Sequence, residues 1–208
     1  GGSIPLEKAL LDRESNPGAI LATTMNDKPL TADHGFPVRT VVPGYIGARS
    51  VKWLSKIVVS DRPSPNHFVA DVCKLVDEGT LLEVAENAPI YRMPLNSAIC
   101  APTAGAALKA GRVEVVGYAL PPGVPGVSIR KVEVSADNGR SWTEAKLTSP
   151  ASEFCWQLWS AEIAVTSATK EFIVRATDSR GETQPEFVRW NAKGYLFNAW
   201  HRLPLKVS

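Results

Sequence analysis

The densest group of chemistry-bearing residues in this chain lies between Asp33 and Trp53. There Asp33-His34-Gly35-Phe36-Pro37-Val38-Arg39 and Gly47-Ala48-Arg49-Ser50-Val51-Lys52-Trp53 flank a short apolar run and Pro43-Gly44. His34, Arg39, Arg49 and Lys52 are interleaved with Gly and Pro, which hold loops in fixed shapes and let a ligand approach the backbone. Such a set suits a phosphate or another anion. Arginine offers a planar fork, lysine a point charge, and N–H groups beside small residues add fixed dipoles. A plainer reading stands beside it, with Arg49 and Lys52 as solvated strand-end charges and His34 as a turn residue bonding locally. The segment is not a nucleotide P-loop, because neither GxxxxGKS nor GxxxxGKT occurs.

A second candidate is Asn198-Ala199-Trp200-His201-Arg202. On a strand, alternation puts Trp200 and Arg202 on one face and His201 on the other. Arg202 is then either an anion contact or half of a surface cation–π pair with Trp200. Nucleophilic and metal chemistry find little support, since GxSxG is absent and His34, His67 and His201 lack HExxH spacing. Cys73, Cys100 and Cys155 are odd in number and far apart, which fits neither a CxxC knuckle nor a disulfide framework. Cys73 reads as a small buried hydrophobe.

These residues need a scaffold, and the composition supplies one. Of 208 residues, 44% are hydrophobic and 21% charged, enough apolar content for a core. The 23 Lys+Arg against 21 Asp+Glu leave a formal charge of +2, too small for the broad basic face of non-specific nucleic-acid binding. Nucleic acid is therefore not an expected partner. No apolar run approaches the ~20 residues of a membrane-spanning helix. The start at Gly1-Gly2-Ser3, with neither Met nor an apolar leader, reads as a processed or partial chain.

Over residues 1–90 the patterning is mixed and looks like part of an α+β domain. Ser3 caps an expected short helix through Leu10, with Pro5 in its first turn. Ala19 to Met25 reads as a strand ending at Asn26-Asp27, Val38–Val42 and Val51–Ser60 are β-like, and Val72–Ala85 is a weak helix. Asn87 to Pro94 is an extended connector, because each Pro disfavours helix at and before itself. Residues 91–208 then alternate short apolar segments with turn signals, the spacing of an antiparallel β-sandwich. Expected strands are Arg112–Ala119, Val132–Ala136, Ser141–Leu147 after the Asp137-Asn138-Gly139 turn, one with Phe154, Trp156 and Leu158 on one face, Glu171–Thr177, Glu186–Trp190 and Trp200–Val207. Trp142, Trp156, Trp159 and Trp190 are expected to fill the sandwich. The chain is thus read as mainly β, with domains at 1–90 and 91–208.

The run Asp33-His34-Gly35-Phe36-Pro37-Val38-Arg39, then Val42-Pro43-Gly44, then Gly47-Ala48-Arg49-Ser50-Val51-Lys52-Trp53-Leu54 closely resembles the molybdopterin-binding segment of sulfite oxidases and the related eukaryotic nitrate reductases. The similarity continues through Pro94-Leu95-Asn96-Ser97-Ala98-Ile99, Gly117-Tyr118-Ala119, Val132-Glu133-Val134-Ser135 with Asn138-Gly139 and Trp142, Thr183-Gln184-Pro185, and Trp190-Asn191 to Asn198-Ala199-Trp200-His201-Arg202. It covers nearly the whole chain in the family order.

The resemblance implies the end of a molybdopterin domain followed by an immunoglobulin-like dimerisation domain, and hence a homodimer. It implies a molybdenum–molybdopterin cofactor and oxidation of sulfite to sulfate by oxygen-atom transfer, with a cytochrome or haem domain taking the electrons. Carried over, His34, Arg39, Ser50, Val51 and Lys52 match positions that hold the pyranopterin and its phosphate, and Arg202 matches an arginine reaching into the substrate-anion pocket. No residue of the chain matches the metal-ligating Cys, which lies upstream in the family, so this chain alone is expected to be inactive. The family's active-site Tyr falls in an Asp-Tyr-Lys context, and a gapless alignment puts Cys73, before Lys74, at that position. The alternatives are a nitrate-reductase-type portion and a cofactor-free dimerisation module or truncated paralogue. The resemblance offers the mitochondrial intermembrane space, peroxisome or periplasm as compartments without choosing among them.

Overall fold

The computed structural model describes residues 1–10, 18–77 and 89–208, and the chain divides into two units. One holds Gly1–Met93 together with Arg189–Leu196, the other Pro94–Val188 with Phe197–Ser208.

In the first unit the expected N-terminal helix is α1, Leu6–Leu10, opened by the Pro5 carbonyl accepting from the N–H groups of Lys8 and Ala9 at 3.1 and 3.3 Å. Four short strands follow: β1 Ile20–Ala22, β2 Thr24–Met25, β3 Lys28–Pro29 and β4 Arg39–Val41. Asn26 and Asp27 turn β2 into β3 at φ 52° and 59°, the double left-handed geometry of a tight hairpin. β4 lies antiparallel to β1, with Ala22 opposite Arg39.

Two expectations fail here. Val51–Ser60 forms no strand: Val51 pairs only with Thr40, Leu54 N–H donates to the Val38 carbonyl at 2.9 Å, and no described strand runs alongside the rest. Ile57, Val58 and Val59 are 67%, 67% and 77% exposed. The helix expected from Val72 is instead a single π-helical turn at Phe68–Val72. Residues 73–77 are non-helical, and 78–85 lie outside the described residues.

The second unit is a sandwich. Its strands are β5 Asn96–Ala101, β6 Ala107–Leu108, β7 Gly111–Leu120, β8 Ile129–Ser135, β9 Thr143–Glu144, β10 Lys146–Leu147, β11 Gln157–Val165, β12 Glu171–Asp178, β13 His201–Pro204 and β14 Lys206–Val207. One sheet has the order β10-β11-β7-β5, the other β13-β12-β8-β9, and β14 runs parallel to β6. The segment expected as one strand at Ser141–Leu147 is split at Ala145, so β9 joins β8 in one sheet while β10 joins β11 in the other. A strand that changes sheets in this way closes a sandwich corner. Inward residues of both sheets, among them Val115, Val132, Val134, Trp159, Phe172 and Val174, form one core, each large side chain contributing roughly 1.5–3 kcal/mol by burial.

Only Trp159, 1% exposed, fills that core; Trp156 and Trp190 are 66% and 60% exposed. The parity of β11 explains this. Gln157, Trp159 and Ala161 point inward, so Leu158 points outward with Trp156 on its side. Trp159 fits because position 117 has no side chain. A Cβ on Gly117 would lie 2.0 Å from the Ala98 carbonyl oxygen and 2.4 Å from the indole. Glu186–Trp190 forms no ladder strand, since Pro185 lacks an N–H and the chain leaves the sandwich at Arg189.

Polar groups staple the sheets. Gln184 Oε1 accepts from Ser97 Oγ at 2.6 Å and from the Ala176 N–H at 2.9 Å, and the Ile99 N–H of β5 donates to His201 Nδ1 of β13 at 3.1 Å. Burial holds the His201 pKa below its ordinary value.

Candidate functional site: the basic loops and an inserted segment

The basic loops fold on one another. A 3-10 turn at Ala32–His34 ends at Gly35, whose φ of 103° only glycine adopts easily. A Cβ there would lie 2.9 Å from Lys52 Cβ and 3.2 Å from Arg39 Cβ, so the turn closes directly on both cationic residues. Arg39 donates from Nη1 to the His34 carbonyl at 3.2 Å and from Nη2 to the Ser50 carbonyl at 3.3 Å. Lys52 Nζ donates to the Asp33 carbonyl at 2.7 Å and sits 5.0 Å from the centre of the Trp53 ring. Trp53 Nε1 in turn donates to the Ala32 carbonyl at 2.9 Å. Thr31 Oγ1 and His34 Nδ1 share a 2.7 Å hydrogen bond, leaving Nε2 as the ring's remaining polar atom.

His34, Arg39 and Lys52 are thus brought together, and among the described residues no carboxylate lies in salt-bridge range of Arg39 or Lys52. Each Nη of Arg39 keeps a second N–H, and Lys52 Nζ keeps two. Two cations fixed by carbonyls, with donors to spare and no counter-charge, fit an anion of phosphate type. Ser50 and Val51 present acceptors to a ligand, since their amides are engaged within the loop. The Ser50 N–H donates to Gly47 and the Val51 N–H to Thr40 Oγ1, at 3.0 and 2.6 Å, so neither amide faces a ligand. Ser50 Oγ accepts from Val42 N–H at 3.0 Å. The pair braces the loop and offers carbonyl oxygens and the Ser50 hydroxyl.

Arg49 is neither a solvated charge nor an anion ligand. It is 2% exposed, with Nε and Nη2 donating to the Ile90 carbonyl at 2.9 and 2.7 Å and Nη1 to the Phe68 carbonyl at 3.2 Å. Its guanidinium lies 5.3 Å from the Tyr91 ring centre. Three distant stretches meet on one side chain, a role that spacing could not reveal.

Arg202 is also committed. Nη1 donates to Glu171 Oε1 at 2.8 Å and to Asn138 Oδ1 at 3.0 Å, and Nη2 to Glu186 Oε1 at 2.8 Å. The cation over Trp200 is Arg175, not Arg202: it lies 5.5 Å from that ring and 3.9 Å from Trp142, and it is paired with Glu133 at 3.0 Å. The C-terminal segment that does join the first unit is Arg189–Leu196, and its inward cation is Lys193. Lys193 Nζ donates to the Asp71 carbonyl and, at 3.3 Å, to the Val72 carbonyl. Ala192 N–H donates to Val76 at 2.9 Å. The sequence carried one usable signal, the Gly194 and Asn191 that bracket Lys193 in a stretch between two apolar runs. Cys73, next along from Val72, is buried at 5% exposure, and burial first, then the neighbouring Cys73 thiol, hold the Tyr195 pKa above its ordinary value.

Residues 87–208 match the Mo-co oxidoreductase dimerisation domain and residues 1–68 the oxidoreductase molybdopterin binding domain. The chain belongs to the Mo-co oxidoreductase family. It is 39% identical over 225 residues to mitochondrial sulfite oxidase of Drosophila melanogaster, covering 100% of this chain and 38% of that protein. Over 219 residues it is 39% identical to the Homo sapiens enzyme, of which it covers 39%. A nitrate reductase of Phaseolus vulgaris is 34% identical over 229 residues, covering 100% of this chain and 25% of that protein. The sulfane dehydrogenase SoxCD of Paracoccus pantotrophus superposes with a TM-score of 0.81 at 25% identity, over 98% of this chain and 51% of that one. This Mo-co oxidoreductase chain therefore spans under two-fifths of the length of those sulfite oxidases. The family's cofactor, molybdenum–molybdopterin, carries the phosphate that the donor set of the basic loops fits. Among the described residues no three His, Cys, Asp or Glu side chains converge as a metal site, and no helix is long and apolar enough to cross a membrane.

Proposed function

We propose that this chain forms the cofactor-phosphate seat and the dimerisation sandwich of a sulfite-oxidising molybdoenzyme, working as a homodimer. The observation that carries the reading is the pair Arg39 and Lys52, both tied to backbone carbonyls and, among the described residues, both without a carboxylate in salt-bridge range. Higher identity to sulfite oxidases than to the nitrate reductase favours sulfite over nitrate.

When bound, the cofactor supplies two-electron oxygen-atom transfer. The chain's own residues hold and orient it. Arg39 and Lys52 neutralise the phosphate, the Gly35 turn keeps the two cations adjacent, and Arg49 fixes the loop that carries Ser50 to Lys52. The substrate anion is assigned to Lys193 in place of Arg202, because the Arg202 charge is already met by Glu171 and Glu186. A haem group or cytochrome is the proposed electron acceptor.

The test is the pterin and molybdenum content of protein purified from a host that makes the cofactor. Arg39→Ala and Lys52→Ala should each lower occupancy several-fold relative to the same protein unmutated. Equal occupancy in all three would remove the phosphate role.

A further inference from the structure

The 3-10 turn at Ala32–His34 does more than close on Arg39 and Lys52. Its three carbonyls each accept from a different side chain: Ala32 from Trp53 Nε1 at 2.9 Å, Asp33 from Lys52 Nζ at 2.7 Å and His34 from Arg39 Nη1 at 3.2 Å. One turn therefore holds an indole, an ammonium and a guanidinium side by side.

Lys52 and Trp53 are consecutive, and on a regular strand they would project to opposite faces. The backbone prevents that. Thr40 N–H donates to the Val51 carbonyl and Leu54 N–H to the Val38 carbonyl, both at 2.9 Å. Between these partners lies Arg39 on one side, but both Lys52 and Trp53 on the other. That is the two-against-one count of a β-bulge, a device that re-aims side chains beside functional sites. Trp53 absorbs the extra residue at φ 53°, a left-handed conformation that a bulky side chain adopts only when its surroundings impose it. The product is an indole brought to the same turn as the Lys52 ammonium, which lies 5.0 Å from the ring centre. Core packing does not explain the strain, because Trp53 is 58% exposed. One edge of the ring is fixed by its hydrogen bond while much of its surface stays open, which is the form of a stacking platform for a flat ring.

We infer that Trp53 is a third member of the seat, its indole face receiving the flat heterocycle joined to the phosphate that Arg39 and Lys52 hold. The inference rests on the reading above for the phosphate and adds a contact to the ring that carries it. The two cations respond to the phosphate alone, whatever it is attached to. The indole makes the seat prefer a phosphate ester of a fused heteroaromatic ring, such as a pterin, over free phosphate.

The experiment measures, by calorimetry on the full chain, the affinity for two probes: inorganic phosphate, and a pterin bearing a phosphate monoester on a one-carbon arm. Four forms are compared: unmutated, Trp53→Leu, Trp53→Phe and Arg39→Ala. Trp53→Leu should weaken the pterin phosphate about ten-fold, the scale of taking an aromatic platform from under a flat ring, and leave inorganic phosphate within about two-fold. Retained phosphate affinity also shows that the loop is still folded. Trp53→Phe keeps a ring face without the N–H and should keep most of the affinity for the pterin phosphate. Equal losses for both probes in Trp53→Leu would mean that the indole only steadies Lys52. Equal losses of pterin phosphate in Trp53→Phe and Trp53→Leu would mean that only the hydrogen bond to Ala32 matters. Either result overturns the inference, as does an unmutated chain that binds the pterin phosphate no better than inorganic phosphate, and all three leave the phosphate seat standing. A chain that binds neither probe, or an Arg39→Ala variant that loses affinity for neither, removes the seat and the ring contact with it.

Discussion

Replacing Arg49 by lysine should unseat the loop that bears Ser50 to Lys52. Arg49 makes three hydrogen bonds to two carbonyls from a position that is 2% exposed. A lysine keeps the charge and most of the stem but has a single nitrogen, which can serve one carbonyl and not the fork. Two charge-assisted bonds are lost, each worth roughly 1.5–3 kcal/mol, so the cost is about 3–6 kcal/mol, a large part of the ~5–15 kcal/mol that holds a typical domain. With a urea dependence of about 1–3 kcal/mol/M, the unfolding midpoint of the first unit should fall by about 2 M. Amide exchange should accelerate at residues 47–52 and 89–93 before it does in the sandwich. Arg49→Met, which removes the charge but orphans the Ile90 carbonyl, should be destabilising for a different reason, at about 1–3 kcal/mol per unmet carbonyl. If both variants stay within ~0.5 kcal/mol of the unmutated protein, as surface substitutions do, Arg49 is a solvated charge and the account of the loop is wrong.

Gly117→Ala should destabilise the sandwich by about 3 kcal/mol or more, because its Cβ would overlap a backbone oxygen that cannot rotate away. Gly47→Ala, where the new Cβ meets nothing within 4 Å and the backbone is not left-handed, serves as the control in the same denaturation experiment. His201 gives the sandwich a pH dependence of known sign. Its folded pKa lies below the ordinary 6.5, so the unfolded chain takes the proton first. Stability is full above pH 6.5 and declines as pH falls through the folded value, and His201→Gln should flatten the urea midpoint measured between about pH 7.5 and 5. Tyr118 and Trp156 lie 5.6 Å apart on the outer side of β7 and β11, beside an exposed Leu158. Trp156→Ser with Leu158→Ser should convert a dimer to a monomer by light scattering, and an unchanged mass would place the interface elsewhere.

The sandwich was legible in the sequence because its signals are local. Alternation in Val132–Ser135 and the Asn138-Gly139 turn specify β8 and its reversal without outside help, and β7 follows the same period, while β12 is a run buried on both faces. The failures share a cause as well. Val51–Ser60 has the composition of a strand, but a strand is defined by its neighbour, and none of the described residues provides one. Trp156 and Trp190 look like core by residue type, yet parity along β11 and the departure of the chain at Arg189 turn both toward solvent. In the site, His34, Arg39 and Lys52 could be picked out because they are close in sequence. Arg49 was misjudged because its partners lie 19 and 41 residues away. Lys193 was missed because its meaning comes from a segment that returns to the first unit from over a hundred residues downstream.

The account turns on whether the loops around Arg39 and Lys52 grip the phosphorylated end of the cofactor. Adding purified molybdopterin to the isotope-labelled chain, and recording the Arg39 Nε–H signal with the amides of residues 34–36 and 50–53, addresses this without any turnover. Saturable shifts confined to those signals, and abolished by Arg39→Ala, are the predicted result. Shifts that leave those signals in place, or saturation that survives the loss of Arg39, would contradict it.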